Sequence, residues 1–212
     1  LRSSSNNTLT GNTASSNNRG IDLYESNNNT LTNNTANENS YCGIYLENSS
    51  SNNTLTGNTA SSNGNYGIYL YSSSSNNTLT DNTASSNYCG ICLDYLCNAN
   101  TLTGNTADNN EYEGIYLNYL CNANILTGNT ANSNYIDGIY LSSSSNNTLT
   151  GNTAESNVKY GIYLNSSSNN TIYLNNLSGN TSGNAYVESS SDNIWHSPTP
   201  IYYDYTGGSF HK

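Results

Sequence analysis

Residues able to do chemistry are scarce in this chain, and several recur at one spacing. Arg2, Arg19, Lys159 and Lys212 are scattered mostly toward the ends, and the two histidines, His196 and His211, lie in the tail. Fourteen acids and five cysteines complete the set. A glycosidase needs two carboxylates ~5–9 Å apart. Glu113 in "EGIYL" and Asp137 in "DGIYL" hold the same place before a glycine, 24 residues apart. If those segments stack, the two carboxylates raise each other's pKa. The plainer reading is two acids tolerated at a turn. "CGIC" (89–92) has the CxxC spacing of redox and zinc sites. On a regular strand, however, alternation sends Cys89 and Cys92 to opposite faces, and no second CxxC or nearby histidine completes a ligand set. No metal or cofactor is therefore expected.

The elements that must position these groups are repeats. Glycine of a "GI" step falls at Gly20, Gly43, Gly67, Gly90, Gly114, Gly138 and Gly161, with a weaker echo at Gly183. An apolar anchor recurs at Leu9, Leu31, Leu55, Leu79, Leu102, Leu126, Leu149 and Ile172. Three residues after each anchor stands an asparagine: Asn12, Asn34, Asn58, Asn82, Asn105, Asn129, Asn152 and Asn175. Eight after each anchor stands another: Asn17, Asn39, Asn63, Asn87, Asn110, Asn134, Asn157 and Asn180. Apolar residues alternate within a unit, which means strand rather than helix. A unit of 23 or 24 residues is too short for a propeller blade and suits one coil of a parallel β-helix. The expected fold is all-β, a single right-handed parallel β-helix of eight coils over 1–192, with a C-terminal cap or docking segment over 193–212. Stacking places equivalent residues ~4.8 Å apart. The asparagine columns are then structural ladders at bends, where asparagine tolerates the left-handed conformation.

Stacking also gives the remaining cysteines a geometry. "YLCNAN" occurs twice, so Cys97 and Cys121 sit one rung apart, within Cα range of a disulfide. The alternative is two reduced, inward-facing small residues replacing the usual serine. Cys42 has no partner within one coil.

Composition excludes several functions. The formal charge is −10 with only four basic residues. A nucleic-acid backbone needs a basic stripe, and a charged membrane surface needs a polybasic patch. No apolar stretch approaches the ~20 residues that span a bilayer, and no signal peptide is visible. With no methionine, the chain reads as starting at a processed or excised end. Asn, Ser, Thr and Gly would ordinarily suggest disorder, but twenty tyrosines and a strict period argue against it.

"YGIYLNSSSNNTIYLNN" (160–176) and its sister coils resemble the NosD-type parallel β-helix repeats found in surface proteins of methanogenic archaea. "NIWHSPTPIYYDYTGG" (193–208) is similar to the segment that often follows them. Bacterial members are associated with copper delivery, a role for which His196, His211 and the absence of methionine offer no ligands. Related β-helices include polysaccharide lyases that use Arg or Lys beside a carboxylate cluster, a grouping missing here.

Two exterior columns remain. Tyr45, Tyr69, Tyr116, Tyr140, Tyr163 and Tyr186 should point outward in a row interrupted by Cys92, either stacking on themselves or forming a strip for sugars or a partner subunit. Paired threonines flank most Leu anchors, as in Thr54 and Thr56, resembling the Thr-x-Thr arrays of ice-binding solenoids. Glycosylation sequons recur at Asn6, Asn28, Asn52, Asn76, Asn146 and Asn169. These features lead to the expectation of a non-enzymatic, extracellular or cell-surface structural protein. It would form a surface layer, sheath or adhesive fibre by self-association, with head-to-tail assembly as one route. The alternatives are a carbohydrate-binding or carbohydrate-processing β-helix and an ice-binding solenoid.

Overall fold

The computed structural model describes residues 1–196, which form a parallel β-solenoid of two long walls. Each coil contributes one longer strand to an eight-stranded sheet, running from Arg19–Tyr24 at one end to Gly183–Glu188 at the other. It contributes one three-residue strand to a nine-stranded sheet, from Thr8–Thr10 to Ile194–His196. Every pairing is parallel and in register with the repeat, such as Leu102 with Leu126 and Ile115 with Ile139. In the last strand Trp195 stands opposite Ile172 and packs against the core. The rest of the expected tail segment lies outside the described residues.

The interior is narrow. Ile115 and Leu117 from the long strand, Leu102 from the short one and Ala107 beyond it are all fully buried, and the inner coils repeat this pattern. Four such side chains cannot offset the ordering entropy of a whole coil. Stability must therefore be shared through the stack. Outside the short strands, threonines line the wall, and a further column is bridged from Thr13 through Thr35 and Thr130 to Thr153. Ile125 and Tyr173 interrupt the paired array.

The corners differ from expectation in one respect. The ladder asparagines do not adopt the left-handed conformation; the residue just before each does. Asn33 (φ 53°), Glu38 (φ 57°) and Asn28 (φ 57°) precede Asn34, Asn39 and Asn29. That reversal turns the chain and aims the next amide along the stack. The Asn58 backbone and amide nitrogens both donate to Asn82 Oδ1 at 2.9 Å, while Asn58 Nδ2 also donates to the Leu31 carbonyl at 2.9 Å. The Asn17 to Asn180 column repeats the forward bonds, as from Asn110 to Asn134.

A third asparagine column escaped the sequence reading. Asn7, Asn29, Asn53, Asn77, Asn100, Asn124, Asn147, Asn170 and Asn193 bond in the same forward sense. Each is the second residue of an "NN", "AN" or (at Asn193) "DN" pair whose first member carries the turn. The six sequon asparagines are those first members, exposed and left-handed. A fourth column is serine: Ser50 Oγ accepts from Ser26 N at 3.0 Å and donates to Leu23 O at 3.0 Å. Cys97 and Cys121 occupy that column as buried free thiols, donating to the carbonyls of Asp94 (3.3 Å) and Asn118 (3.0 Å).

Candidate functional site on the long-strand sheet

Strict alternation fails at one step of every long strand, and that step decides what faces outward. In the strand Cys89–Asp94, Ile91 and Leu93 are buried inside. Gly90 also faces inward: a Cβ there would lie 2.8 Å from the Ala84 carbonyl and 2.8 Å from the Asn110 amide. Two consecutive inward positions shift the alternation, so Cys89 and Cys92 emerge on the same outer face. This corrects the expectation that they oppose each other. They share a cluster with Cys42, Tyr45 and Tyr69, and Tyr41, Tyr66, Tyr71 and Tyr116 pack against it. The echo at Gly183 is shifted too: Gly183 pairs with Tyr160, and Asn184 takes the glycine place.

The tyrosine column is outward but not a flat platform. Tyr116, Tyr140 and Tyr163 stack with centroids 4.9 and 4.6 Å apart and planes within 7°. Tyr45 and Tyr69 stack at 5.0 Å and are nearly buried. Tyr186 stacks on Tyr160 at 4.8 Å. Ring faces are consumed by neighbours, so the surface receives ring edges and hydroxyls. Those hydroxyls meet acids on the next coil: Tyr69 donates to Asp94 at 3.2 Å, and Tyr163 donates to Glu188.

Glu113 and Asp137 occupy the column of Cys89 and Tyr66, one rung apart, at 8% and 2% exposure. Burial pushes the Glu113 carboxyl up to about 7; its own backbone N–H and Lys159 pull down, while Asp137 adds to the rise. Burial likewise pushes Asp137 up to about 6, against the Tyr160 N–H, which donates to Asp137 Oδ1 at 2.9 Å, and Lys159. At neutral pH the pair therefore holds both protonated and ionised carboxyl, the states a proton donor and its partner require.

The loops that end in these acids form a groove. It encloses about 610 Å³ and is lined by Asn109, Asn110, Glu111, Tyr112, Ser133, Tyr135 and Val158. Tyr135 is 68% exposed, the most open large apolar side chain among the described residues. Tyr112 stacks on Tyr88 at 4.0 Å. Backbone bonds from Tyr112 N to Tyr88 O and from Ile136 N to Tyr112 O keep these loops in register. The groove was not legible in the sequence, where loops 109–112 and 133–136 differ in composition.

The family described as periplasmic copper-binding protein (NosD) matches residues 66–212, and the right-handed β-helix region matches residues 1–107. The chain belongs to the NosD family. No curated protein sequence matches it. Among solved structures, this NosD-family chain superposes on the periplasmic alginate epimerase AlgG with TM-score 0.79 and 23% identity, over 84% of this chain and 47% of that one. It superposes on the Azotobacter vinelandii mannuronan C-5 epimerase AlgE4 A-module with TM-score 0.72 and 14% identity, over 92% and 63%. For pectate lyase Pel9A the values are 0.59 and 18%, over 91% and 56%. The chain thus spans about half of the AlgG and Pel9A structures it matches. The expectation of a non-enzymatic chain is corrected by these matches: the shared scaffold carries epimerases and a lyase, so scarcity of bases is no ground for excluding catalysis. Among the described residues, no helix is long and apolar enough to cross a membrane.

The family description names copper, and the donor set can be tested against it. There is no methionine, and His196 is the one histidine among the described residues. No group of three or more His, Cys, Asp or Glu there is placed to hold a metal ion. The soft donors that face outward are three buried thiols, Cys42, Cys89 and Cys92, with Cys42 two rungs from Cys89, so the residues present do not make the copper ligand set that the family description implies.

Proposed function

We propose that this chain is a carbohydrate-processing β-helix, acting outside the cytoplasm, that cleaves a glycosidic bond beside the Tyr112–Tyr135 groove. The observation that carries this reading is the stacked Glu113–Asp137 pair, with both carboxyls raised toward neutrality. Glu113, the more open of the two, donates the proton to the leaving oxygen; Asp137 on the next rung is the second carboxylate. The rung repeat of ~4.8 Å is close to the carboxyl separation of retaining glycosidases. Tyr135 offers an exposed ring to a sugar face, and Glu111 and Asn109 offer hydrogen bonds to hydroxyls. The scaffold shared with carbohydrate-acting enzymes supports the reading, as does the periplasmic description of the family.

Charge narrows the substrate. With a net charge of −10 and outward Asp94 and Glu188, beyond the Asp22 and Glu47 that pair with Arg19, the face repels a polyuronate and suits a neutral or amino-sugar chain. The test is release of reducing ends from a panel of neutral, amino-sugar and uronate polysaccharides. Wild type should cleave a member of the first two groups. Glu113→Gln should abolish cleavage while retaining binding, and Tyr135→Ala should weaken binding. Wild-type cleavage by Glu113→Gln, or no polysaccharide bound by the unmutated chain, overturns the assignment.

A further inference from the structure

Two adjacent coils depart from the corner that joins each long strand to the next short one. In the coils before them that corner is polar: Asn48, Ser49 and Asn52 turn it, then Ser72, Ser73 and Asn76, all left-handed. The following two coils read "YLCNAN", and the same left-handed places go to Tyr95, Leu96 and Ala99, then to Tyr119, Leu120 and Ala123. Asparagine visits this conformation readily, whereas tyrosine, leucine and alanine are strained there. Register does not require them, since the backbone bonds run on as before, from Leu96 N to Tyr119 O and from Leu120 N to Ser143 O. The core does not require them either: Leu96 and Leu120 stand outside it, and Leu120 is 42% exposed. Tyr95 and Tyr119 stack at 5.4 Å with planes within 1°, and both are exposed. Strain kept where a cheaper residue would serve points to function.

A second column breaks at the same two rungs. Asn76, Ala99, Ala123 and Asn146 follow one another up the stack, so alanine replaces the sequon asparagine in these coils alone among those from Asn6 to Asn169. The gap keeps the apolar corner clear of any N-linked glycan on the rest of the column. Charge is missing too: neither 95–107 nor 118–136 contains Asp, Glu, Lys or Arg, in a chain of net charge −10. Asp94, just before the corner, is engaged by the Tyr69 hydroxyl and the Asn118 amide.

We propose that this corner is the interface of a side-by-side homodimer. The patch is two copies of one motif, so a twofold axis between the rungs faces Tyr95 and Leu96 of one protomer with Tyr119 and Leu120 of its partner, and the reverse. Ile125, two residues after Ala123 and 46% exposed, widens it. Two facing patches of roughly 500 Å² each reach the ~1,000 Å² that a specific interface buries. Two acidic chains also meet with least repulsion where both lack charge. A sugar chain fits less well, because the remaining amides are taken: Asn98 Oδ1 accepts from Asn122 N, and Asn122 Oδ1 accepts from Ser145 N. The contact closes on itself, unlike a head-to-tail fibre. It follows the strand Ile115–Asn118, whereas Glu113 and its groove precede that strand, so the interface stands independently of the carbohydrate reading.

The test is the molar mass of the full chain by sedimentation equilibrium across a concentration series, on protein made without glycosylation. Wild type should weigh twice the 22.8 kDa chain and dissociate only on dilution. Tyr119→Ser/Leu120→Ser copies the Ser72–Ser73 corner, so it should keep the wild-type circular dichroism and melt no lower, yet run as a monomer. Ala99→Asn restores the sequon ahead of Thr101. It should leave the dimer intact when unglycosylated and abolish it once an oligosaccharide is attached. A monomeric wild type overturns the interface, including one whose polysaccharide binding the serine pair removes, which would make the corner a sugar site. A dimer that survives the double variant or the attached oligosaccharide overturns it as well.

Discussion

A single side-chain amide shows how this polymer of small polar residues holds together. Asn129 Oδ1 accepts from the backbone and amide nitrogens of Asn105, and its own Nδ2 donates to Leu102 O and Asn152 Oδ1, all at 2.9 Å. Asn129→Ala strands buried partners on both neighbouring coils and should cost about 1–3 kcal/mol in a urea melt. Ser133→Ala, exposed and equally left-handed before and after substitution, should stay within about 0.5 kcal/mol. The acid pair makes a second residue-level prediction. Glu113 and Asp137 titrate near 7 and 6 in the fold, against ordinary values of 4.5 and 3.8. Between those limits the folded chain binds more protons than the unfolded one, so stability falls as pH rises from about 4 to 7 and then levels, at up to about 1.4 kcal/mol per pH unit per group. Glu113→Gln with Asp137→Asn should remove that fall and be more stable than wild type at pH 8. At this scale the sequence showed which residue types repeat, and it singled out the acid pair by column position. It did not show burial, which depends on what the neighbouring loops cover, and burial is what moves those carboxyls toward neutrality.

At the scale of a strand, one glycine governs the outer face. A Cβ on Gly114 would meet the Ala107 carbonyl and the Asn134 amide at 2.7 Å and the Ala131 Cβ at 2.8 Å. Gly114→Ala therefore forces two coils apart and should destabilise by about 3 kcal/mol or more. Gly128 sits at φ 63° with open space around its Cβ position, so Gly128→Ala should cost only about 1–2 kcal/mol, the backbone strain alone. Thermal melts of the two variants, run together, check the difference. The period-two pattern placed the repeat strands as far as the Ile172 anchor but left Ile194–His196 in the tail, and applying it without interruption sent Cys89 and Cys92 to opposite faces. Nothing in "CGIC" itself says that the glycine turns inward; that follows from the Ala column on the facing wall. The missed Asn7 to Asn193 column has a similar cause. Read as sequons, "NNT" drew the eye to the first asparagine, whereas the second does the bonding.

At the scale of the molecule, stability is distributed along a line of nearest neighbours. Leu102 is fully buried between two coils, whereas Leu9 on the first strand is only partly covered. Leu102→Ala should cost about 2–5 kcal/mol, and Leu9→Ala distinctly less. Denaturant midpoints of the pair measure how firmly the end coil is coupled to the middle. The coil period made this architecture legible from sequence alone, because eight copies of one phrase leave few ways to bury it. Function was less legible, since a search for clustered charges looks past a hidden carboxyl pair and past a groove built from two dissimilar loops. One further property follows from the asparagine columns. Most amides in them turn the carbonyl toward the preceding coil and an N–H toward the following one, Asn147 Nδ2 being buried without a partner. Such dipoles add instead of cancelling, much as peptide dipoles do along an α-helix. The stack thus has a direction as well as a length. Within these columns, a plane cut between coils leaves amide donors on the lower-numbered side and amide acceptors on the higher-numbered side. The columns thus contribute a dipole whose positive end lies toward higher residue numbers.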